Sequence, residues 1–507
     1  MPRQPPRHPV LSTSVAAAHP LCDFRDLKVN YLNAFNSRWM RESLSMLPPH
    51  YLFLGATGSG KTTAIKLHMY SILPSESAQF SMAFRGLIYD PKTDLLPFLA
   101  RMGFNTNDHV IVTNPFDERS ACWDLAADIT SEADAQGFAD IVIHDHPGQE
   151  FWQASARDIL AGLVNGLNAD PQTRKGWDLR DLVLIADNQN LLKQMLQRTD
   201  MGRGALNDFF KGDQRLSGNI RATLRANLAP YRLIAATWDH ARYSFTFKEW
   251  ANGAGIFLIG NHFKYRDPMQ RVNNLLVRNA IDSVMDRPGV EEKDLSWFYL
   301  DELKNAGKFP NFGTMLTLGR SKGIRCVLAA QGLSTLQSAF PEHEDREVIN
   351  NCGNKCIMQL GSEEDARWAE RLFSTKTLIK ESHTHPIDQS NRGTKTTHEE
   401  TVPRLEAKKF LELPSASNTG GSIDAYYHAP EGFHHRKPIG GEEITASMPP
   451  PLATPVADYL PRPEEHYTLR RFAQADYEHL KLDPKKKDDD EDSNEEFKPF
   501  KISERFF

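Results

Sequence analysis

The sequence predicts an α/β protein, a mostly parallel sheet flanked by helices, with an inserted all-α domain and a flexible C-terminal tail. Three observations carry this reading. Short apolar runs alternate with helical periodicity on both sides of a central insert, as in the strand–helix–strand units that build parallel sheets. Between residues 121 and 240 the strand signal fades into Ala, Leu, Gln and Arg. After about Leu413 the composition turns to Gly, Pro and His, which suits an extended segment better than a core. The expected organisation is an arm over 1–46, a first core part over 47–120, the insert over 121–240, a second core part over 241–415 and a tail over 416–507.

Residues 1–46, with five prolines in the first 20 positions, read as a loose arm. Tyr51 to Leu54 form a short apolar strand that runs into a glycine loop, and Thr62 to Leu73 then carry helical spacing. Gly86 to Tyr89 and His109 to Thr113 read as buried strands, ended by the turn residues Asp90-Pro91-Lys92 and Asn114-Pro115. Within the insert, helical spacing runs through Ala154 to Leu167 and Leu191 to Leu196. Strands resume at Gly255 to Ile259, Trp297 to Leu300, Ile324 to Ala329 and Lys355 to Leu360, so the sheet is interrupted and then completed.

At 507 residues, 40% hydrophobic and 25% charged, the chain exceeds one ordinary domain, and disorder throughout is excluded. A membrane span takes roughly 18 or more consecutive apolar residues; the longest runs, such as Gly253 to Gly260, stop far short. The N-terminus MPRQPPRHPV lacks the continuous apolar stretch of a secretory signal, so a cytoplasmic location is expected. Five scattered cysteines (Cys22, Cys122, Cys326, Cys352, Cys356) fit reduced thiols. The net charge of −6 is uneven: residues 488–507 hold eight acids and three bases, −5, which leaves −1 for the rest. Phosphate binding depends on local patches, so the total excludes no nucleic-acid partner.

The strongest chemical signal is Gly55-Ala56-Thr57-Gly58-Ser59-Gly60-Lys61-Thr62, which fits the phosphate-loop pattern G-x-x-x-x-G-K-[ST] between a strand and a helix. Its glycines let backbone N–H groups wrap a phosphate chain at the positive end of the helix. Lys61 reaches the terminal phosphates, the Thr62 hydroxyl ligates magnesium, and Thr63 completes the nucleotide-binding run. ATP and Mg2+ are the implied cofactors. Hydrolysis also needs an acid at the end of a neighbouring strand. The run Ser296 to Leu300 ends in Asp301, suited to the magnesium shell, and Glu302, suited to the general base. Arg320 precedes the next strand and Gln331 ends it; such positions suit an arginine finger for a neighbouring subunit and a γ-phosphate sensor. A surface arginine and a strand-capping glutamine are the plain alternatives.

The order Gly55 to Thr62, Asp90-Pro91-Lys92, Asn114-Pro115-Phe116-Asp117, Asp301-Glu302-Leu303, Gly319-Arg320 and Ala330-Gln331 resembles the type IV secretion coupling proteins of the TraD/TraG/TrwB type, which are related to the HerA/FtsK motors. The resemblance covers about residues 48 to 415. It implies a RecA-like P-loop NTPase core, a homo-hexamer, and ATP hydrolysis coupled to DNA translocation in conjugation. The insert then corresponds to the family's all-α domain, which meets relaxase and relaxosome proteins. Lys61, Thr62, Asp301 and Glu302 match the ATP site, Arg320 the trans-acting arginine and Gln331 the coupling glutamine. Coupling proteins usually begin with two membrane helices, whereas about 47 residues without such helices precede the loop here. The expectation is either recruitment to the inner face of the bacterial membrane by a separate anchor protein of the secretion channel, or a soluble branch of the family.

From Lys193 to Arg232 there are eight bases against three acids, and Arg221 and Arg225 share a helix face as weak candidates for DNA contact beside the plainer reading of a solvated surface. Cys352 and Cys356, with His383, His385, His434 and His435, lack zinc-site spacing and read as structural. The acidic run Asp488 to Asp492, followed by Phe497, Phe500, Phe506 and Phe507, suits either a docking peptide or a solubilising tail. Two other functions stay open on sequence: a nucleotide-dependent substrate-recruitment adaptor, and a HerA/FtsK-like motor in segregation, repair or defence.

Overall fold

The structure, a computed structural model, describes residues 50–73, 85–104, 109–210, 214–288, 295–302, 312–340, 344–373, 375–384, 394–429 and 433–485. The expected arm, Cys22, Leu303, His385 and the acidic terminus from Asp488 lie outside them. The chain falls into two compact units, one of residues 1–128 and 230–469, the other of residues 129–229 and 470–507. The boundaries expected at 121 and 240 therefore fall at 129 and 229.

In the first unit the strands are β1 (His50–Leu54), β2 (Arg85–Asp90), β3 (Val110–Val112), β4 (Cys122–Trp123), β5 (Ser244–Phe245), β6 (Gly255–Gly260), β7 (Ser296–Leu300), β8 (Ile324–Ala330), β9 (Asn354–Ile357), β10 (Thr375–Thr384), β11 (Thr394–Pro403), β12 (Ile423–Ala429) and β13 (Phe433–Ile439). Nine of them form one sheet in the order β13-β12-β9-β1-β8-β7-β2-β6-β3. Pairing is parallel from β9 to β3 and antiparallel where β12 joins β9 and β13. Every residue of β1, β2, β7 and β8 is buried. Sheets covered on both faces make strands read as unbroken apolar runs, which is why these were legible.

The helix Lys61–Ile72 is seated on one sheet face by aromatic packing. His68, fully buried, lies 4.7 Å from the Tyr51 ring, and its Nδ1 is 3.2 Å from the Tyr299 hydroxyl. Burial pulls its pKa down to about 3, so the ring is neutral. Side chains alternate along a strand, so Trp297, Tyr299 and Asp301 share one face. The contacts that seat the helix thus aim Asp301 at its first turn.

The flexible tail expected from 416 is not what residues 416–485 form. Every residue from Ile423 to Tyr427 of β12 is buried, and β12 pairs with β9 at Tyr427↔Cys356. Flanking Gly and Pro had masked a strand covered on both faces. Arg462, also buried, donates from Nε to the Pro115 carbonyl at 3.0 Å and from Nη2 to the Asp117 carbonyl at 3.1 Å. The strand expected to reach Leu360 spans Asn354–Ile357, and its hydrogen bonds to β1 and the loop run on: the Met358 N–H donates to the Leu54 carbonyl at 2.8 Å and the Gln359 carbonyl accepts the Ala56 N–H at 2.7 Å.

The second unit holds the helices Glu132–Val142, Glu150–Asn168, Leu179–Asp187, Gln189–Leu196 and Asp200–Phe210, and the start of Gln214–Trp238, with no strand among the described residues. Ser131 and Asp134 form a capping box at the first of these. The chain returns to this unit in the helix Gln474–Leu480, where Asp476 meets the buried Arg180 at 2.8 Å. Among the described residues of either unit, no helix is long and apolar enough to cross a membrane.

Candidate active site

β1 delivers the chain into Gly55–Gly60, and the helix begins at Lys61. Gly58 and Gly60 take φ of 79° and 103°, values in the left-handed region where a side chain is strained. That geometry lets the loop fold over the helix N-terminus. Lys61, 8% exposed, bends back on the loop, donating from Nζ to the carbonyls of Gly55 at 2.5 Å and Ala56 at 3.0 Å. Burial pushes its pKa below the ordinary value, against the raising fields of Asp301 and Glu302.

Thr62 Oγ1 donates to Asp301 Oδ2 at 2.8 Å, so the helix start and the end of β7 meet here. Asp301 is 7% exposed, and its other oxygen, Oδ1, is buried without a hydrogen-bond partner. Burial pushes this carboxyl above the usual range, opposed by the Thr62 hydrogen bond and Lys92. A buried, half-satisfied carboxylate beside a threonine hydroxyl fits a magnesium ion, whose charge would relieve the desolvation that the carboxylate carries alone.

Glu302 adopts φ of 56°, a left-handed conformation that costs a non-glycine residue about 1–2 kcal/mol. Its Oε1 lies 3.2 Å from Lys92 Nζ. Sequence reading gave Asp90-Pro91-Lys92 no task in catalysis. In the structure Asp90 accepts the N–H groups of Leu95 at 2.9 Å and Asp94 at 3.2 Å, and so shapes the turn that brings Lys92 to Glu302. The signal lay in the adjacency of two strand ends, which one-dimensional spacing does not show.

Gln331, exposed, follows Ala330, which pairs with Leu54 and accepts the Gly55 N–H at 3.3 Å; it therefore stands at the loop. Arg320 stands at the other end of the same strand. It is exposed in the turn Gly319–Lys322 that precedes β8, near the buried His50 that starts β1. The structure therefore brings Lys61, Thr62, Asp301, Glu302 and Gln331 together and leaves Arg320 apart from them.

A second wall went unpredicted. Ser415 Oγ donates to the Gly58 carbonyl at 2.9 Å, and the Ser417 N–H reaches the same oxygen at 3.2 Å. A Cβ on Gly60 would sit 3.0 Å from Ile423 Cγ1. These contacts join residues more than 350 positions apart, so no local pattern carries them.

In the second unit Arg225 Nε lies 3.4 Å from Asp187 Oδ1, and Arg221 donates to Gln189 Oε1, so both arginines share one face and are engaged within the unit. Cys352 and Cys356 are buried; burial pushes the Cys352 thiol up to about 12 and that of Cys356 higher still. Among the described residues no three His, Cys, Asp or Glu side chains are gathered for a metal ion.

Residues 44–433 match the family profile described as the type IV secretion-system coupling protein DNA-binding domain. Among curated proteins the chain is similar to coupling protein TraD of Escherichia coli (strain K12), 22% identical over 360 residues, covering 68% of this chain and 46% of that one. It is 21% identical to protein VirD4 of Rhizobium rhizogenes over 72% of this chain and 56% of that one. The chain thus spans about half the length of these relatives. Among solved structures, the unbound monoclinic form of the bacterial conjugative coupling protein TrwBdeltaN70 superposes with a TM-score of 0.62 at 18% identity, over 82% of this chain and 88% of that one. TrwB in complex with ADP and Mg2+ gives 0.60 at 18% identity, over 82% and 89%. The fold is that of these structures, a RecA-like phosphate-loop core.

Proposed function

Because the chain belongs to the type IV secretion-system coupling protein family, we propose that it is an ATP-driven DNA translocase that passes a relaxase-bound strand to a type IV secretion channel. The observation that carries this reading is the bond from Thr62 to Asp301, with the second Asp301 oxygen buried and unpartnered: a catalytic centre set up for a nucleotide and its metal. The TrwB structure that holds ADP and Mg2+ supports the same cofactors here.

In this reading the N–H groups of Gly55 to Thr63 hold the phosphates, and Lys61 exchanges its two loop carbonyls for phosphate oxygens. Thr62 and Asp301 would hold Mg2+, which would supply charge neutralisation to the phosphates. Glu302 takes the proton of the attacking water, with Lys92 fixing its carboxylate. Gln331, beside the loop, senses the γ-phosphate and couples hydrolysis to movement. Arg320 serves the nucleotide of a neighbour in a homo-hexameric ring. Relaxosome proteins meet the all-α unit, and a secretion-channel or separate anchor protein brings the ring to the inner face of the plasma membrane. Arg221 and Arg225 contribute DNA backbone contacts only when released from Gln189 and Asp187.

The test is steady-state ATP hydrolysis with and without single- and double-stranded DNA, with Lys61→Ala as the blank. DNA-stimulated turnover that rises with protein concentration supports an assembling motor. Nucleotide binding with no DNA-stimulated turnover at any concentration overturns it in favour of a recruitment adaptor.

A further inference from the structure

β6 ends at Gly260, and the chain then turns through His262-Phe263-Lys264-Tyr265-Arg266 before the helix Arg266–Met285. Phe263 is 67% exposed, the most exposed large apolar side chain among the described residues. An exposed apolar residue alone carries no message; its setting here does. The rings on either side of it are locked inward. Tyr265 stacks on the fully buried Phe116 with centroids 4.9 Å apart, His262 lies 4.7 Å from Phe116 and 4.9 Å from Tyr265, and Tyr467 meets Phe116 edge-on at 5.5 Å. Phe263 takes no part in that cluster. Lys264 and Arg266 are exposed beside it, with Lys264 Nζ 5.3 Å from the Tyr265 centroid.

β6, β2 and β7 are parallel neighbours, with Asp90 opposite Gly260 and Tyr89 opposite Leu300. The turn therefore leaves the same end of the sheet as Lys92, Asp301 and Glu302, from a strand that lies two spacings, or roughly 10 Å, from β7.

We propose that this turn is a contact site for single-stranded nucleic acid, with Phe263 stacking on an unpaired base and Lys264 and Arg266 meeting the flanking phosphates. The proposal rests on the DNA-motor reading above and names a place on the chain for it. An exposed aromatic face followed along the chain by two exposed cations is the chemistry of a single-strand platform, because every base offers a ring face once unpaired and every linkage a phosphate. A duplex offers no such face along its length, so the single strand is the occupant. The inward-locked rings hold the turn in shape before binding, which lowers the ordering cost of the contact.

The test is anisotropy of a labelled oligothymidylate with the full chain across a salt series, together with sedimentation. Phe263→Ala is expected to weaken binding about 5- to 100-fold, Phe263→Trp to retain it, and Phe151→Ala, at an exposed phenylalanine of the all-α unit, to change nothing. Lys264→Gln and Arg266→Gln are expected to lower the slope of log affinity against log salt by about 0.7 each. If the wild type binds the strand and Phe263→Ala, Lys264→Gln and Arg266→Gln all match it in affinity and slope, the turn is not the contact and the motor reading stands. If Phe263→Ala changes the oligomer and leaves affinity intact, the residue packs against a second copy and the proposal falls. If the wild type binds no DNA, the motor reading falls first and takes the proposal with it.

Discussion

Arg320 and Lys61 stand at opposite ends of the sheet, and this fixes how their loss should behave in mixtures. β8 has seven residues, so at about 3.3 Å per residue roughly 20 Å separates the Arg320 turn from the strand end beside Gly55. One side chain cannot cross that gap, so in the proposed ring Arg320 would reach only a nucleotide held by another subunit. Arg320→Ala should bind nucleotide normally and lose about 10³–10⁵ in turnover, the usual worth of an arginine finger. Lys61→Ala should be equally silent. Each variant keeps the half that the other lacks. In rings assembled at random from equal amounts, about a quarter of the interfaces pair an intact loop with an intact arginine. Mixing two inactive proteins should therefore restore about a quarter of wild-type turnover per subunit if the interfaces fire independently. The assay is coupled ATP hydrolysis at saturating DNA, with native mass spectrometry to verify that the rings are mixed. Mixed rings that stay silent, or full turnover by Arg320→Ala alone, would refute the geometric argument.

Two further predictions concern stability. Gly60→Ala places a Cβ at a φ of 103° and 3.0 Å from Ile423 Cγ1, so backbone strain and overpacking together should cost about 2–5 kcal/mol and lower nucleotide affinity; an unshifted urea midpoint would count against the packing described. His50 has its pKa lowered from 6.5 to about 4, first by burial; its Nε2 donates to the Leu316 carbonyl at 2.8 Å and its Nδ1 accepts the Cys326 N–H at 3.2 Å. Between those two pH values the unfolded chain binds more protons than the folded one, so stability falls as pH drops from 6.5 toward 4, by about 3 kcal/mol from this group. Urea denaturation at pH 7 and pH 4.5 should show a smaller loss for His50→Gln than for the wild type; equal losses would remove His50 from the account.

The readable parts of the chain were those where chemistry is local. The glycine spacing at 55–60 dictates a loop that only one backbone path satisfies, and the apolar run before Asp301 announces a buried strand. Asp301 and Thr62 could be matched because phosphate chemistry demands both. Lys92 could not be given its partner, since its meeting with Glu302 depends on β2 lying beside β7. Nor could β12 be read, because Gly, Pro and His surround a buried run of only five residues that itself includes Asp424. The positive run around Arg221 and Arg225 left a solvated surface and a weak DNA contact both open in one dimension; in three, Asp187 and Gln189 lie against it.

The contact of Ser415 and Ser417 with the Gly58 carbonyl bears on how the chain can be shortened. By composition, everything after Leu413 looks dispensable, and a protease-trimmed core would seem the natural minimal motor. Cutting there would remove a wall of the nucleotide loop. It would also strip β12 from β9 and turn an interior strand into a raw edge whose unpaired N–H and C=O groups invite association with other chains. A shortened chain that keeps this loop intact therefore extends at least through β13, and aggregation of a shorter fragment would reflect a missing strand rather than a missing partner.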